Sequence, residues 1–260
     1  GHLGSLGIGV KDIISKFDEG DIQPGDILIT NDPWLVSGHK HDVTVVFPVF
    51  FGNRIAGFTA SNCHVVDIGG RIFSAAGQSV YEEGLHIPVM KLFEAGRRNE
   101  TLFTIIDDNV RSPELVIGDL MAQVSANQVA GERLLTVMTD HNLEDLTAIS
   151  TEITKRTEIM MREAIQDVPD GVYKETVQLD GFGEPLTIST AIKVDKNEIE
   201  VDFEGTSPQI SMGVNCVLNY TKAFVFYALK CALSPDAPIN DGSLRPIKVP
   251  APRSSILNAT

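Results

Sequence analysis

Hydrophobic positions fall into two β-like stretches separated by a long helical middle. Near the start, Val10, Ile13, Ile14 and Phe17 recur at helical spacing and predict a helix over 10–17. Gln23-Pro24-Gly25-Asp26 reads as a turn, and the apolar run behind it predicts a short buried strand over 27–30. A β-branched and aromatic run follows, Val43-Thr44-Val45-Val46-Phe47, continued by Val49, Phe50 and Phe51. Gly52-Asn53 supplies a two-residue turn that accepts positive φ, and 54–59 return as the second strand of a hairpin.

The register of this hairpin is open at the level of sequence. A tight turn sets Phe51 opposite Arg54, and counting back puts His41 opposite His64 and Asp42 opposite Cys63. Pro48 cannot donate a ladder hydrogen bond and belongs at an edge or a bulge. One bulged residue there sets Asp42 opposite His64 instead. In both registers His39, His41, Asp42 and His64 gather at the end of the hairpin away from its turn.

Beyond the hairpin, Gly69-Gly70 and Gly77 mark a loop that runs to Tyr81, and Glu82 to Pro88 lead into a strand over 89–93 with a turn at Ala95-Gly96. A helix is predicted over 102–106 and a longer one over 115–138. A third is expected to start at Asn142 as N-cap, with Asp145 in its first turn, and to continue to 165. The two long helices are expected to form an antiparallel pair, their Met residues serving as packing. After Pro169-Asp170-Gly171 the pattern alternates over 172–179, 187–194 and 199–203, followed by a helix over 218–233 and a last strand over 247–249.

The expected class is therefore α+β, with mixed, mostly antiparallel sheets and a long helical pair. Three regions are expected, an α/β region over 1–110, a helical hairpin over 111–167 and a β-rich region over 168–260, forming one continuous unit.

Composition narrows the possibilities. The 260 residues are 43% apolar, enough for a sizeable core. A formal net charge of −14 argues against nucleic acid, whose phosphates it would repel. No apolar run is long enough for a membrane span. Cys63, Cys216 and Cys231, odd in number and far apart, read as reduced thiols of a cytoplasmic protein. Gly1-His2 without an initiator Met, and Thr260 without a tail, give the expectation of a fragment or a component of something longer.

The chemistry concentrates between Asn31 and Gly70. Three imidazoles (His39, His41, His64) and two carboxylates (Asp42, Asp67) form the nitrogen and oxygen set that divalent metals take. The competing reading is a group of ordinary surface or core histidines. His86 and His141 have no such companions. Asn31 and Asp32 are expected to shape the turn that presents His39, and Arg111 to hold a helix terminus or a carboxylate. Glu82 and Glu83 are expected at a cleft, with one of them solvated.

Several collinear motifs resemble the hydantoinase B family, the second component of ATP-dependent N-methylhydantoinases and 5-oxoprolinases, related to acetone and acetophenone carboxylases. They run from His2-Leu3-Gly4-Ser5 through Pro24-Gly25-Asp26, Asn31-Asp32-Pro33-Trp34, His39-x-x-Asp42-Val43 and His64-x-x-Asp67-Ile68-Gly69-Gly70. They continue through Glu83-Gly84-Leu85-x-Ile87-Pro88, Asn109-Val110-Arg111-x-Pro113, Gly118-Asp119-Leu120-x-Ala122-Gln123, Asp202-Phe203-x-Gly205-Thr206-Ser207-Pro208-Gln209 and Arg245-Pro246-Ile247. The chain departs from the family at Val65, where many relatives have a second His, and at Leu35-Val36, where many have two Gly.

The resemblance implies the central part of a hydantoinase B-like fold. It also implies a divalent metal (Zn, Mn or Fe) held by His39, Asp42 and His64, where hairpin counting alone favours His41 over His39. It further implies a hetero-oligomer with a hydantoinase A-like partner that uses ATP to activate a small cyclic amide or ketone. The reaction implied is ring hydrolysis or carboxylation, the alternative being a non-catalytic assembly role. On this reading Asp67 either orients His64 or caps the loop before Gly69-Gly70, and His41 is either a substrate-side acid or base or a solvated loop histidine.

Overall fold

The structure, a computed structural model, describes residues 3–71 and 74–260. His2, in the first quoted motif, and Gly1 lie outside the described residues. The chain divides into two compact units, Ile8–Ala148 and Ile149–Thr260 with the residues up to Gly7. That boundary falls inside the 111–167 helical segment.

The first unit is built on an antiparallel five-stranded sheet of order β3-β2-β1-β4-β5. Its strands are β1 (Ile27–Thr30), β2 (Asp42–Phe51), β3 (Arg54–His64), β4 (Met90–Glu94) and β5 (Arg97–Arg98). Helix α1 (Leu3–Ile14) begins earlier than its apolar spacing suggests, because Gly4, Gly7 and Gly9 hide the periodicity. Helices α2 (Glu100–Asn109) and α3 (Pro113–Asp140) follow β5.

Both faces of this sheet are covered, which explains why β1 is apolar at successive positions. Ile27, Ile29, Val43 and Val45 pack with Leu102, Phe103, Ile106, Leu120 and Val124 of α2 and α3. Leu28 and Val46, one residue out of phase, pack instead with Ile13 of α1 and with Phe58 and Ala60.

The hairpin resolves its own ambiguity. Phe51 faces Arg54 and Phe50 faces Ile55, but Val49 faces Gly57, so Ala56 of β3 has no partner. This bulge lies beside Pro48, which sits beyond the last β1–β2 pair, Leu28↔Val46, where among the described residues β2 pairs with β3 alone. From there the ladder runs regularly to Asp42↔His64.

Asn142 corrects the expected helix start. It is a left-handed residue (φ 51°) just past α3, with its N–H on the Thr139 carbonyl and the Leu143 N–H on the Met138 carbonyl. Those two bonds close α3 in a Schellman motif. The next helix, α4 (Thr147–Gln166), starts five residues later, with the Thr147 N–H held by Asp145 Oδ1 at 2.8 Å. A short polar residue serves either helix end, and the backbone conformation decides which.

The second unit carries a mixed sheet, β6-β7-β8-β9, of β6 (Gly171–Leu179), β7 (Leu186–Asp195), β8 (Glu198–Asp202) and β9 (Ile247–Lys248). The β8–β9 pair is parallel, with α5 (Leu218–Leu233) and α6 (Asp241–Leu244) in the connection. Met161 and Ile165 of α4 pack with Ile199, Val201, Phe226 and Ile247 as its core. No helix among the described residues is long and apolar enough to cross a membrane.

Candidate metal centre

The loop between β1 and β2 is held by short-range polar chemistry. Asp32 Oδ1 accepts the Trp34 N–H at 3.0 Å, and the Gly38 N–H donates to the Pro33 carbonyl at 2.9 Å. Buried Asn31 ties the loop from beneath, its Nδ2 donating to the Lys40 and Leu85 carbonyls, both at 2.9 Å. This is the turn-shaping role expected of Asn31 and Asp32.

The loop delivers His39 to the end of the hairpin, where Asp42 opens β2 and His64 closes β3. His39 Nε2 lies 3.1 Å from Asp42 Oδ1 and 3.1 Å from His64 Nδ1, and His64 Nδ1 lies 2.9 Å from Asp42 Oδ1. His64 Nδ1 is within reach of both neighbours, and a single N–H there can make a straight hydrogen bond to only one of them. Three lone-pair atoms around one point are what a small cation accepts.

The spacing fits such a cation. With bonds of about 2.1 Å, neighbouring ligands of an octahedral ion sit roughly 3.0 Å apart, and those of a tetrahedral ion about 3.4 Å. Two neutral imidazoles and a carboxylate are also a donor set that zinc, manganese and iron accept. Exposure is graded across the triangle, 5% for Asp42, 22% for His39 and 53% for His64. The carboxylate forms the floor, and the His64 side is open to solvent.

His41 is not the solvated loop residue considered above. It is 4% exposed, and its ring stacks on that of His64 with centroids 5.3 Å apart and planes at 11°. Burial foremost, then the neighbouring His64 and His39, pull its pKa below the usual histidine value, against the opposing pull of Asp42 and Asp67. These surroundings favour its neutral form.

Asp67 is engaged with the loop and with Arg111. Its Oδ1 accepts the Gly69 N–H at 3.1 Å and Arg111 Nη1 at 2.6 Å, and its Oδ2 accepts the Arg111 N–H. Arg111 also donates to the Gly69 and Gly70 carbonyls, so it fastens this loop to the start of α3. Of the two roles considered for Asp67, these bonds belong to loop capping. Burial raises its pKa, but the Arg111 and Gly69 hydrogen bonds outweigh that and hold it below the usual carboxylate value.

The two glycines are required here. Gly69 and Gly70 have φ of 77° and 54°, and a Cβ on Gly70 would meet the Glu82 carbonyl and the Gly84 nitrogen at 2.5 Å. Two backbones cross without room for a side chain.

Cys63 neighbours His64 but alternates to the other face of β3, and all three thiols are unbridged. Lys40 is a residue that sequence reasoning missed. It is 3% exposed, and burial lowers its pKa against the raising effect of Glu83 and Asp32. Only its position between two histidines could have hinted at this.

Comparison with known proteins identifies the family. Residues 1–260 match the Hydantoinase B/oxoprolinase family model. The chain belongs to the hydantoinase B/oxoprolinase family. The B component of a putative D-/L-hydantoinase from a Pseudomonas species is 32% identical over 268 residues, 96% of this chain and 45% of that protein. The beta subunit of the Pseudomonas jessenii caprolactamase is 30% identical over 266 residues, 99% of this chain and 45% of its own length.

The chain thus spans about half the length of these relatives. Among solved structures, the ATP-dependent caprolactamase of Pseudomonas jessenii superposes with a TM-score of 0.93 at 29% identity, covering 100% of this chain and 46% of that one. An acetone carboxylase shares the fold, with a TM-score of 0.88 at 18% identity over 99% of this chain and 37% of that one.

Proposed function

We propose that this hydantoinase B-family chain carries the metal centre of an ATP-dependent cyclic amide hydrolase, acting on a substrate activated by a hydantoinase A-like partner that uses ATP. The carrying observation is the convergence of His39, Asp42 and His64 to within 3.1 Å of one another. The names of the relatives support the cyclic amide, since a hydantoinase component and a caprolactamase component are both near 30% identical. Ketone carboxylation is the second reading, favoured only by the shared fold of acetone carboxylase.

A divalent cation held there would supply Lewis acidity, polarising a carbonyl or acidifying a water. The chain's own residues do the rest. Asp42 supplies the buried negative charge, and His39 and His64 supply neutral nitrogens, leaving the site cationic overall. His41, neutral and stacked on His64, keeps that ring in its plane and is the nearest base for a substrate proton. Asp67 and Arg111 hold the loop behind His64, and the exposed side of His64 is the direction of substrate entry.

The test begins with the chain purified without chelator. Near-stoichiometric Zn, Mn or Fe is expected, lost in His39→Ala and His64→Ala while circular dichroism stays unchanged. Ring-opening activity with an A-type partner and ATP should disappear in the same variants. A metal-free chain indifferent to both substitutions would instead establish the assembly reading.

A further inference from the structure

The proposed chemistry leaves Glu83 without a task, although it belongs to a motif prominent in the sequence. Its neighbour Glu82 is spent on its own loop, bridging Arg71 at 3.1 Å and accepting the Gln78 N–H at 2.9 Å. Glu83 reaches across instead. Its Oε2 accepts the backbone N–H of Lys40 at 2.8 Å. Lys40 returns the contact, its Nζ donating to the Gly84 carbonyl at 3.3 Å and lying 5.7 Å from the centre of the Tyr81 ring.

The Lys40 peptide sits between the two ligands that come from one loop, His39 and Asp42. Its carbonyl is held by Asn31 and its N–H by Glu83, so both backbone polar groups of Lys40 are fixed from outside. Asn31 is anchored in turn, with Oδ1 on the Ile87 N–H at 2.6 Å. Segment 83–87 is thus the hydrogen-bonded backing against which the His39–Asp42 spacing is set.

We propose that Glu83 is a positioning residue of the metal centre, fixing the separation of His39 and Asp42 through its hydrogen bond to the Lys40 N–H. The proposal rests on the metal reading of His39, Asp42 and His64, and it assigns Glu83 no contact with substrate or cation. The bond is to a backbone N–H, so it needs an acceptor oxygen at the right reach and does not need a charge.

Two substitutions separate those requirements. Glu83→Gln keeps the reach and an acceptor oxygen while removing the charge; Glu83→Asp keeps the charge and shortens the reach by one methylene. Affinity for Zn2+ is measured in the full chain by competition with a chromophoric chelator. Hydrogen exchange of the Lys40 amide is followed by NMR in the metal-free chain.

Glu83→Asp and Glu83→Ala are expected to weaken Zn2+ binding by roughly tenfold to a hundredfold, as loss of an outer hydrogen bond does at other metal sites. Both should also speed Lys40 exchange, while Glu83→Gln stays within about threefold of wild type on both measures. Rescue by Asp and not by Gln would overturn the proposal in favour of a plain charge effect. Tight wild-type binding that is unchanged in Glu83→Ala sinks the proposal alone, whereas a wild-type chain that binds no Zn2+ sinks the metal reading and the proposal together.

Discussion

Asp42 and His64 face each other across the hairpin, Oδ1 to Nδ1 at 2.9 Å, because β3 carries one residue, Ala56, that β2 does not match. Were Ala56 instead paired with Val49 in an unbulged ladder, the same turn would set Asp42 against Cys63, and the imidazole would leave the carboxylate's face. A strand shifted by one position turns every side chain over.

Deletion of Ala56 should therefore be tolerated by the site, since every pair from Val49↔Gly57 to Asp42↔His64 can stay in place. Zn2+ affinity is expected to remain within about tenfold of wild type, the margin of a disturbed outer shell. Deletion of Cys63, which is not a ligand, moves His64 opposite Val43 and should lower affinity more than roughly a hundredfold. Chelator competition on the two deletions, with circular dichroism as the folding control, checks the pair.

The cation should also stabilise the chain by mass action. At a free Zn2+ concentration a hundred times Kd, linkage adds about 2.7 kcal/mol to unfolding. Chelation should lower the melting temperature of the wild type and leave that of His64→Ala unmoved. His64 is half-exposed, so its removal alone costs little packing. Equal chelator effects on both proteins would show that the stabilising ion binds elsewhere.

A separate acid response is expected from Asp26, which is fully buried in the turn before β1. Burial raises its pKa, but the Lys91 ammonium at 2.8 Å and the Ala95 and Gln23 N–H groups at 2.7 and 2.8 Å more than offset that and hold it below 3.8. A carboxyl depressed in the folded state adds stability above its unfolded pKa and loses it as pH falls through the folded value. Asp26→Asn should cost roughly 2–3 kcal/mol at neutral pH, because it leaves Lys91 without its counter-charge. Urea melts from pH 5 to 2.5 should show a shallower loss in the variant than in wild type.

Arg111 makes a local prediction. It spans Asp67, Gly69 and Gly70, yet its side chain is half-exposed. Arg111→Met is expected to cost only about 1–2 kcal/mol globally. Hydrogen exchange should accelerate at Gly69 and at Leu85, whose N–H bonds the Ile68 carbonyl, before it changes in β1. Uniform acceleration across the first unit would contradict a loop-holding role.

The residues most legible in the sequence are those governed by their immediate neighbours. The strand at Ile27–Thr30 and the helix at Leu218–Leu233 are readable to the residue, because a bounded apolar run and a helical stripe are local signals. Family resemblance names His39, Asp42 and His64, and they are the three side chains that the fold brings together. The first helix is harder to read where glycines mask its pattern, and Asn142 belongs to the other helix end from the one its chemistry suggests.

The amino-acid order by itself determined the elements, the hairpin turn and the inventory of possible ligands, since each follows from chemistry within a few residues. Tertiary structure alone decided the register, the burial of His41 and Lys40, and the partners of Asp67 and Glu83. Those outcomes depend on groups 22 to 44 positions apart. Packing on both faces of the sheet selects one ladder among two that the turn permits, and only then do two imidazoles and a carboxylate share a point in space.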